Sequence, residues 1–238
     1  MKPSCNSRAR GFTLLETVIA IGVLAVLLTG FMVVFAPAAE GIRKSINVQQ
    51  ADRLASTVEQ ELVTLRDKET ATYKTGFNKS FDWIKDSDKP ASAILVYQYR
   101  GKIGTTPRSD GTLEPEPLLN GKLPGKDYQV VPVVRRLSDP NFKNDLPAIE
   151  GSIYLVKCTQ LVFNSGELKL GSPGSIKDPK AGAAAADGDA YPEAVIAFSA
   201  DFFIMPAKAD GYFTSTAFTS KFPDLKNPVF SRNLAVRR

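Results

Sequence analysis

The stretch that decides the fold is "RARGFTLLETVIAIGVLAVLLTGFMVVFAPAAE", residues 8–40. Residues 17–39 are 23 consecutive uncharged residues, most of them Val, Leu, Ile, Ala or Phe. As a helix this run would be about 35 Å long, which is enough to cross a hydrocarbon core about 30 Å thick. Glu16 lies at the start of the segment, where a carboxylate in lipid costs about 3 kcal/mol. The stretch therefore predicts a membrane-spanning helix with one acid that requires an explanation.

The positive charges in front of the apolar run predict its orientation. Arg8 and Arg10 precede it, so the N-terminus is expected in the cytoplasm and the rest of the chain on the far side. Such a segment fits a plain signal anchor. It also fits a secretory signal peptide, because "APAA" at 36–39 offers a small-x-small cleavage site, although the apolar run exceeds the roughly 7–15 residues typical of such peptides. Neither interpretation accounts for Glu16.

A third interpretation accounts for the acid. Residues 10–28, "RGFTLLETVIAIGVLAVLL", closely resemble the N-terminal signature of type IV prepilins and of the pseudopilins of type II secretion. A short basic leader ends in Gly11, Phe12 follows, and Glu16 stands four residues after Phe12. The resemblance implies that a prepilin peptidase cuts after Gly11 and methylates the new amine of Phe12. The apolar run then stays on the mature protein.

Cleavage at that position gives Glu16 a charge to offset. The new amine of Phe12 is a cation at the positive end of the helix dipole, which is unfavourable, and a carboxylate one turn away compensates it. The carboxylate can serve its own N-terminus or the Phe12 amine of a neighbouring subunit. The resemblance favours the second role, in which the pairing of charges in lipid directs assembly.

The helix is expected to continue beyond the membrane, through residues 40–68. Pro37 and Gly41 are expected to bend or loosen it. The opposite side carries charged residues and is expected to face solvent: Arg43, Lys44, Arg53, Glu59, Glu61 and Arg66. The apolar stripe that we expect to pack on a head domain consists of Ile42, Ile46, Ala51, Leu54, Val58, Leu62 and Leu65.

The remainder of the chain predicts a β-rich head. Residues 73–90 are expected to connect helix to sheet, with Phe77, Phe81, Trp83 and Ile84 packed down. Runs rich in β-branched and aromatic residues predict strands at 93–99, 128–137, 152–163, 167–170 and 194–205, with a last strand near the C-terminal "NPVFSRNLAVRR". The predicted fold is α+β and pilin-like, with an antiparallel sheet packed on the long helix. The predicted division is a leader at 1–11, a membrane or filament-core helix at 12–39, its amphipathic extension at 40–68 and the head at 69–238.

Composition argues against catalysis and nucleic-acid binding. The chain has no histidine, which removes the commonest general base and metal ligand. Of the net charge of +5, the leader carries +3 through Lys2, Arg8 and Arg10, so the rest is nearly neutral and no nucleic-acid partner is expected. Cys158 lies in an apolar run and is expected in the core.

Residues 171–193 are rich in Gly, Ala and Pro and predict a mobile surface loop. Within the loop, Asp187, Asp189 and Glu193 are weak candidates for calcium ligands, because calcium prefers carboxylate oxygens. Acidic loops are usually only solvated, so we expect no metal and no other cofactor.

These observations predict a structural subunit of a type IV pilus or a type II secretion pseudopilus, and its size favours a minor pilin or pseudopilin. The alternative is a membrane-anchored envelope protein with a binding (adhesin) or enzymatic head. The expected partners are a prepilin peptidase, other pilin or pseudopilin subunits and the inner membrane. The expected location is single-pass in the inner membrane with a periplasmic head, and then in a filament or at the cell surface after assembly.

Overall fold

The computed structural model describes residues 13–164 and 166–238, so the predicted cleavage position at Gly11 and Phe12 lies outside the described residues. The chain divides into two compact units between Ile46 and Asn47. The helices are α1 (Leu14–Val63), α2 (Gly76–Asp86), α3 (Pro140–Asp145), α4 (Asp210–Phe213) and α5 (Thr216–Lys221), with short 3₁₀ turns at Pro90–Ser92 and Leu146–Ala148. The strands are β1 (Ile94–Lys102), β2 (Tyr128–Arg136), β3 (Ile149–Asn164), β4 (Glu167–Leu170), β5 (Val195–Ile204) and β6 (Phe230–Arg237).

Helix α1 runs without interruption through Pro37 and Gly41, where a bend or loosening was predicted. It ends at Val63, before the predicted end at residue 68. Beyond Val63 the chain turns, and the Arg66 N–H donates to a carboxylate oxygen of Glu69 at 3.0 Å. That side-chain contact satisfies a backbone donor that a longer helix would have used internally.

The sheet confirms the predicted α+β class. Its strands are ordered β2-β1-β3-β5-β6 and every pairing is antiparallel, while β4 pairs with the end of β3. Each predicted strand is present with small shifts at its ends, and the C-terminal run forms β6. The strands are rich in β-branched and aromatic residues because both faces of the sheet are buried, and this composition predicted them.

One face of the sheet packs on the second part of α1 and on α2. Ala51, Leu54, Val58 and Leu62 are fully buried in this core, as the apolar stripe predicted. Leu65, beyond the end of the helix, is half-buried. The prediction was wrong at the other end of the stripe, where Ile42 and Ile46 are 62% and 56% exposed. Both precede Asn47, where the compact head begins, so the buried stripe starts only at Ala51.

The predicted connection at 73–90 forms α2, and its four apolar residues are buried as expected: Phe77, Phe81, Trp83 and Ile84. Thr75 caps the helix, since its hydroxyl accepts from the Asn78 N–H at 3.2 Å. Gly76 begins the helix directly against the end of α1. A Cβ at Gly76 would overlap the carbonyl oxygen of Val63, so the close approach of α1 and α2 requires glycine.

The opposite face of the sheet carries a second core that the sequence analysis did not predict. Short helices α3, α4 and α5 cover it and contribute Phe142, Phe213 and Phe218, and Phe222 directly after α5 also belongs to it. The sheet contributes Leu95, Tyr97, Leu155 and Phe203. The head is therefore a three-layer unit with the sheet in the middle.

Candidate functional site

The first candidate site is the N-terminal turn of α1, which contains Glu16. Thr13 caps this turn: its hydroxyl accepts from the Glu16 N–H at 3.3 Å, and its carbonyl accepts from the Thr17 N–H at 3.1 Å. Thr13 and Glu16 have the spacing of a capping box, and a carboxylate in the first turn is favourable for the helix dipole. Glu16 is exposed and forms no ion pair with any residue that the structure describes. Its carboxylate is therefore accessible to a partner outside the described residues.

The apolar run that follows Glu16 is exposed along its length. Helix α1 is long and apolar enough to cross a membrane, and none of its most apolar 18-residue window is buried by the described residues of the chain. Side chains on all sides of it, such as Leu15, Ile21 and Leu27, are more than half exposed. A helix that is apolar all round needs lipid or other helices around it. This surface supports membrane anchoring and is suited to lateral packing.

A buried charge cluster in the head fixes α1 to α2. The Lys79 ammonium is fully buried and donates to Glu61 at 2.8 Å, to Glu69 at 2.7 Å and to the Thr64 carbonyl at 2.7 Å. The Arg66 Nε donates to the same Glu61 carboxylate at 3.0 Å. Glu61 was predicted on the side of the helix opposite the apolar stripe, and that prediction was wrong, since it is only 7% exposed. Glu61 follows Val58 by three residues and Leu54 by seven, so the helical period places it on the buried face, and two cations compensate its burial.

A second buried network ties α3 and the long connection between β1 and β2 to strand β2. Arg135 donates from Nε to Asp145 at 2.8 Å and from Nη1 to Asp110 at 2.7 Å. Tyr97 donates its hydroxyl to Asp145 at 2.8 Å. Burial alone would raise the pKa of Asp110, but hydrogen bonds from Thr112 and Arg135 outweigh it and hold that pKa well below its ordinary value. Asp110 is therefore charged and paired throughout the physiological range.

A cavity of about 300 Å³ lies between the two charge clusters. Trp83 and Val134 form apolar parts of its wall, while Glu61, Arg66 and Arg135 are among its polar parts. Glu61 and Asp110 at this wall are already committed to the ion pairs described above. Glu61 and Asp110 therefore serve the packing of the head, and sequence reasoning did not find these pairs because Lys79 and Arg135 are distant from them along the chain.

The loop at 171–193 is attached to the head at both of its ends. Ile176 and Tyr191 are buried in the first core. The Gln160 side chain donates to the Lys177 carbonyl at 2.8 Å and accepts from the Lys177 N–H at 2.7 Å. Near the other end, Arg238 donates to the Tyr191 carbonyl at 2.8 Å. The predicted mobility of the loop between these anchors stays a prediction.

The structure does not bring the three weak calcium candidates to one point. Asp187 accepts from a backbone N–H of its own loop at 2.8 Å, and Asp189 accepts from the Asn78 side chain at 3.1 Å. Glu193 pairs with Lys180 at 3.1 Å. Within residues 13–164 and 166–238, no group of three or more His, Cys, Asp or Glu side chains is placed to hold a metal ion. Calcium binding at Asp187, Asp189 and Glu193 stays an untested prediction.

Comparison with known proteins supports the N-terminal site. Residues 6–32 match the family model described as the prokaryotic N-terminal methylation motif. No curated protein and no solved structure matches the chain. The matched segment spans Gly11, Phe12 and Glu16 and the first part of the exposed apolar helix. The chain therefore carries the signature of type IV pilins and pseudopilins at its N-terminus, and the rest of the chain has a pilin-like α+β fold.

Proposed function

We propose that the protein is a minor pilin or pseudopilin, a structural subunit of a type IV pilus or of a type II secretion pseudopilus. The observation that carries the proposal is the methylation motif at 6–32. The helix that follows the motif adds support, because its apolar surface is left uncovered by the part of the chain that the structure describes. In a subunit that assembles through this helix, such a surface contacts lipid in the membrane and packs against other helices in a filament.

The proposed processing follows from the motif. A prepilin peptidase cuts after Gly11 and methylates the amine of Phe12, so the apolar helix becomes the mature N-terminus. Before assembly the protein spans the inner membrane once, with its leader in the cytoplasm and its head in the periplasm. The basic residues Arg8 and Arg10 support this orientation.

The proposed assembly step uses Glu16. In lipid, the Phe12 amine of one subunit and the Glu16 carboxylate of the next lower each other's cost of burial. The exposed position of Glu16 in the first turn of α1 supports this role. Pairing between successive subunits would then set their axial register.

The experiment is to replace Glu16 in a strain that assembles the wild-type chain. We expect Glu16→Ala to be cleaved, inserted and folded, yet to be absent from sheared filaments, because the partner of the neighbouring amine is gone. Glu16→Gln keeps the shape without the charge, and we expect the same loss. The matched control is Glu40→Ala, which removes an exposed acid of the same helix beyond its apolar run. Normal incorporation of Glu16→Ala would refute the charge-pair mechanism.

The head is proposed to be structural rather than catalytic. The absence of histidine supports this, as does the commitment of the buried charges to ion pairs that join elements of the head. Under this proposal the head provides contacts within an assembly, and the protein requires no cofactor.

A further inference from the structure

The β3–β4 hairpin extends beyond the strands that flank β3. The pairing of β3 with β1 covers Ile149 to Val156, and its pairing with β5 covers Tyr154 to Gln160. From Leu161 onward β3 pairs with β4, with Leu161 opposite Leu170 and Phe163 opposite Leu168. The last residues of β3 and all of β4 therefore form a two-stranded projection from the sheet.

This projection is amphipathic. Residues directly opposite each other in an antiparallel pair share a face, and so do residues two apart along a strand. One face consists of Leu161, Phe163, Leu168 and Leu170, and we call it the hairpin face. The other face carries Val162 and an ion pair between Lys169 and Glu167 at 3.2 Å. The apolar residues of the projection are thus concentrated on one side.

The hairpin face is uncovered within the described part of the chain. Side chains alternate between the two faces of a strand, so the hairpin face lies on the same side of β3 as Leu155. Leu155 is buried in the second core, beneath the short helices. Further along β3 the cover ends: Phe163 is 68% exposed, Leu168 51% and Leu170 61%. An exposed apolar strand pair beyond the sheet is a feature that proteins otherwise avoid, because it invites association.

The size of the hairpin face indicates the kind of partner. Its three exposed side chains present about 300 Å² of apolar surface, whereas a stable complex of two free proteins buries about 800 Å² per partner. The face is too small to hold a partner from solution. It is sufficient for a partner that is already held nearby, because tethering raises the effective concentration.

We propose that the hairpin face docks against the head of a neighbouring pilin-like subunit. The inference rests on the proposed function, since packing of the N-terminal helices is what would hold two heads side by side. The charge of the hairpin argues against a lipid surface as the occupant, because Lys169 and Glu167 cancel and leave no cationic excess to attract anionic headgroups. The apolar side chains then meet apolar side chains of the adjacent head.

Site-specific photo-crosslinking in the full chain tests the proposal. Phe163→p-benzoylphenylalanine places a reactive aromatic group on the hairpin face, in cells that assemble the wild-type protein. Leu118→p-benzoylphenylalanine is the matched control, since Leu118 lies in the β1–β2 connection and is also 68% exposed. We expect position 163 to yield an adduct with a protein that itself carries an N-terminal methylation motif, and position 118 to yield none. Glu16→Ala should abolish the adduct.

Paired substitutions give a second readout. Leu168→Ser with Leu170→Ser should reduce recovery of the chain in sheared filaments, while Lys169→Ala, on the opposite face of the same hairpin, should leave recovery unchanged. Since Leu168 and Leu170 are exposed, the thermal unfolding of the head should not change.

Three outcomes would overturn the proposal: an adduct with lipid, an adduct only with proteins that lack the motif, or no adduct from a chain that is processed and recovered in filaments. In each of these cases the proposed function would stand. A chain that is not cleaved at Gly11 would overturn both.

Discussion

Lys79→Met is expected to destabilise the head strongly, because it removes a cation that is fully buried among three oxygen acceptors. The Lys79 ammonium contacts Glu61 at 2.8 Å, Glu69 at 2.7 Å and the Thr64 carbonyl at 2.7 Å. Methionine keeps the length of the side chain but leaves the buried Glu61 carboxylate with Arg66 alone. Breaking a buried pair by removing one partner costs about 3–5 kcal/mol of unfolding free energy. At about 2–4 °C per kcal/mol for a head of this size, the midpoint should fall by about 6–20 °C.

The assay is thermal unfolding, followed by circular dichroism, of a fragment comprising residues 40–238. This fragment contains the whole compact unit that begins at Asn47, and we expect it to be monomeric. The matched control is Lys89→Met, which removes an exposed lysine that pairs with Asp86 at 2.7 Å. An exposed pair contributes at most about 1 kcal/mol, so the control should shift the midpoint by no more than about 4 °C.

A companion variant separates charge from packing. Adding Glu61→Gln to Lys79→Met removes the buried carboxylate that lost one of its two cationic partners, so part of the lost stability should return. If Lys79→Met unfolds at the same temperature as Lys89→Met, the buried cluster does not hold α1 to α2 and the reasoning is refuted.

Four further predictions concern the head. Gly76→Ala should reduce the free energy of unfolding by about 1–3 kcal/mol and so lower the thermal midpoint, because its Cβ would overlap the Val63 carbonyl. An unchanged midpoint would show that α1 and α2 are not in close contact. The pKa of Asp110 is lower in the folded head than in the unfolded chain. Its stabilising contribution is therefore present above about pH 4 and is lost as the pH falls further. In urea titrations, Asp110→Asn should lose less stability on acidification than the wild type. Burial raises the pKa of the Cys158 thiol to about 12, so iodoacetamide should label it only in denaturant, and labelling of the folded head would contradict its burial. Calcium at millimolar concentration should not shift the unfolding midpoint, whereas a shift that Asp189→Asn abolishes would restore the calcium hypothesis.

The sequence predicted those parts of the fold that have a local periodicity. The buried stripe from Ala51 to Leu62 has helical spacing, and the strands are runs of β-branched and aromatic residues between turn residues. The segment at 73–90 was predicted to pack but not to be helical. The sequence does contain a helix signal there, because Thr75 is a good N-cap and Phe77, Phe81 and Ile84 have helical spacing.

The remaining features depend on contacts between distant parts of the chain. Glu61 is buried because Lys79, which α2 supplies, neutralises it, and no pattern within α1 encodes that partner. The second core depends on helices as short as Asp210–Phe213, which are too brief to show a period. At the N-terminus the situation is reversed, because Gly11, Phe12 and Glu16 are defined by spacing alone, and the motif match covers all three.

The most direct test of the central claim is mass spectrometry of the N-terminal peptide of the protein purified from the membranes or filaments of cells that have a prepilin peptidase. We expect a mature chain that begins at Phe12 with a methylated amine and retains the apolar helix. A chain that begins at Ala39, as after cleavage by an ordinary signal peptidase, or one that still begins at Met1, would contradict this expectation.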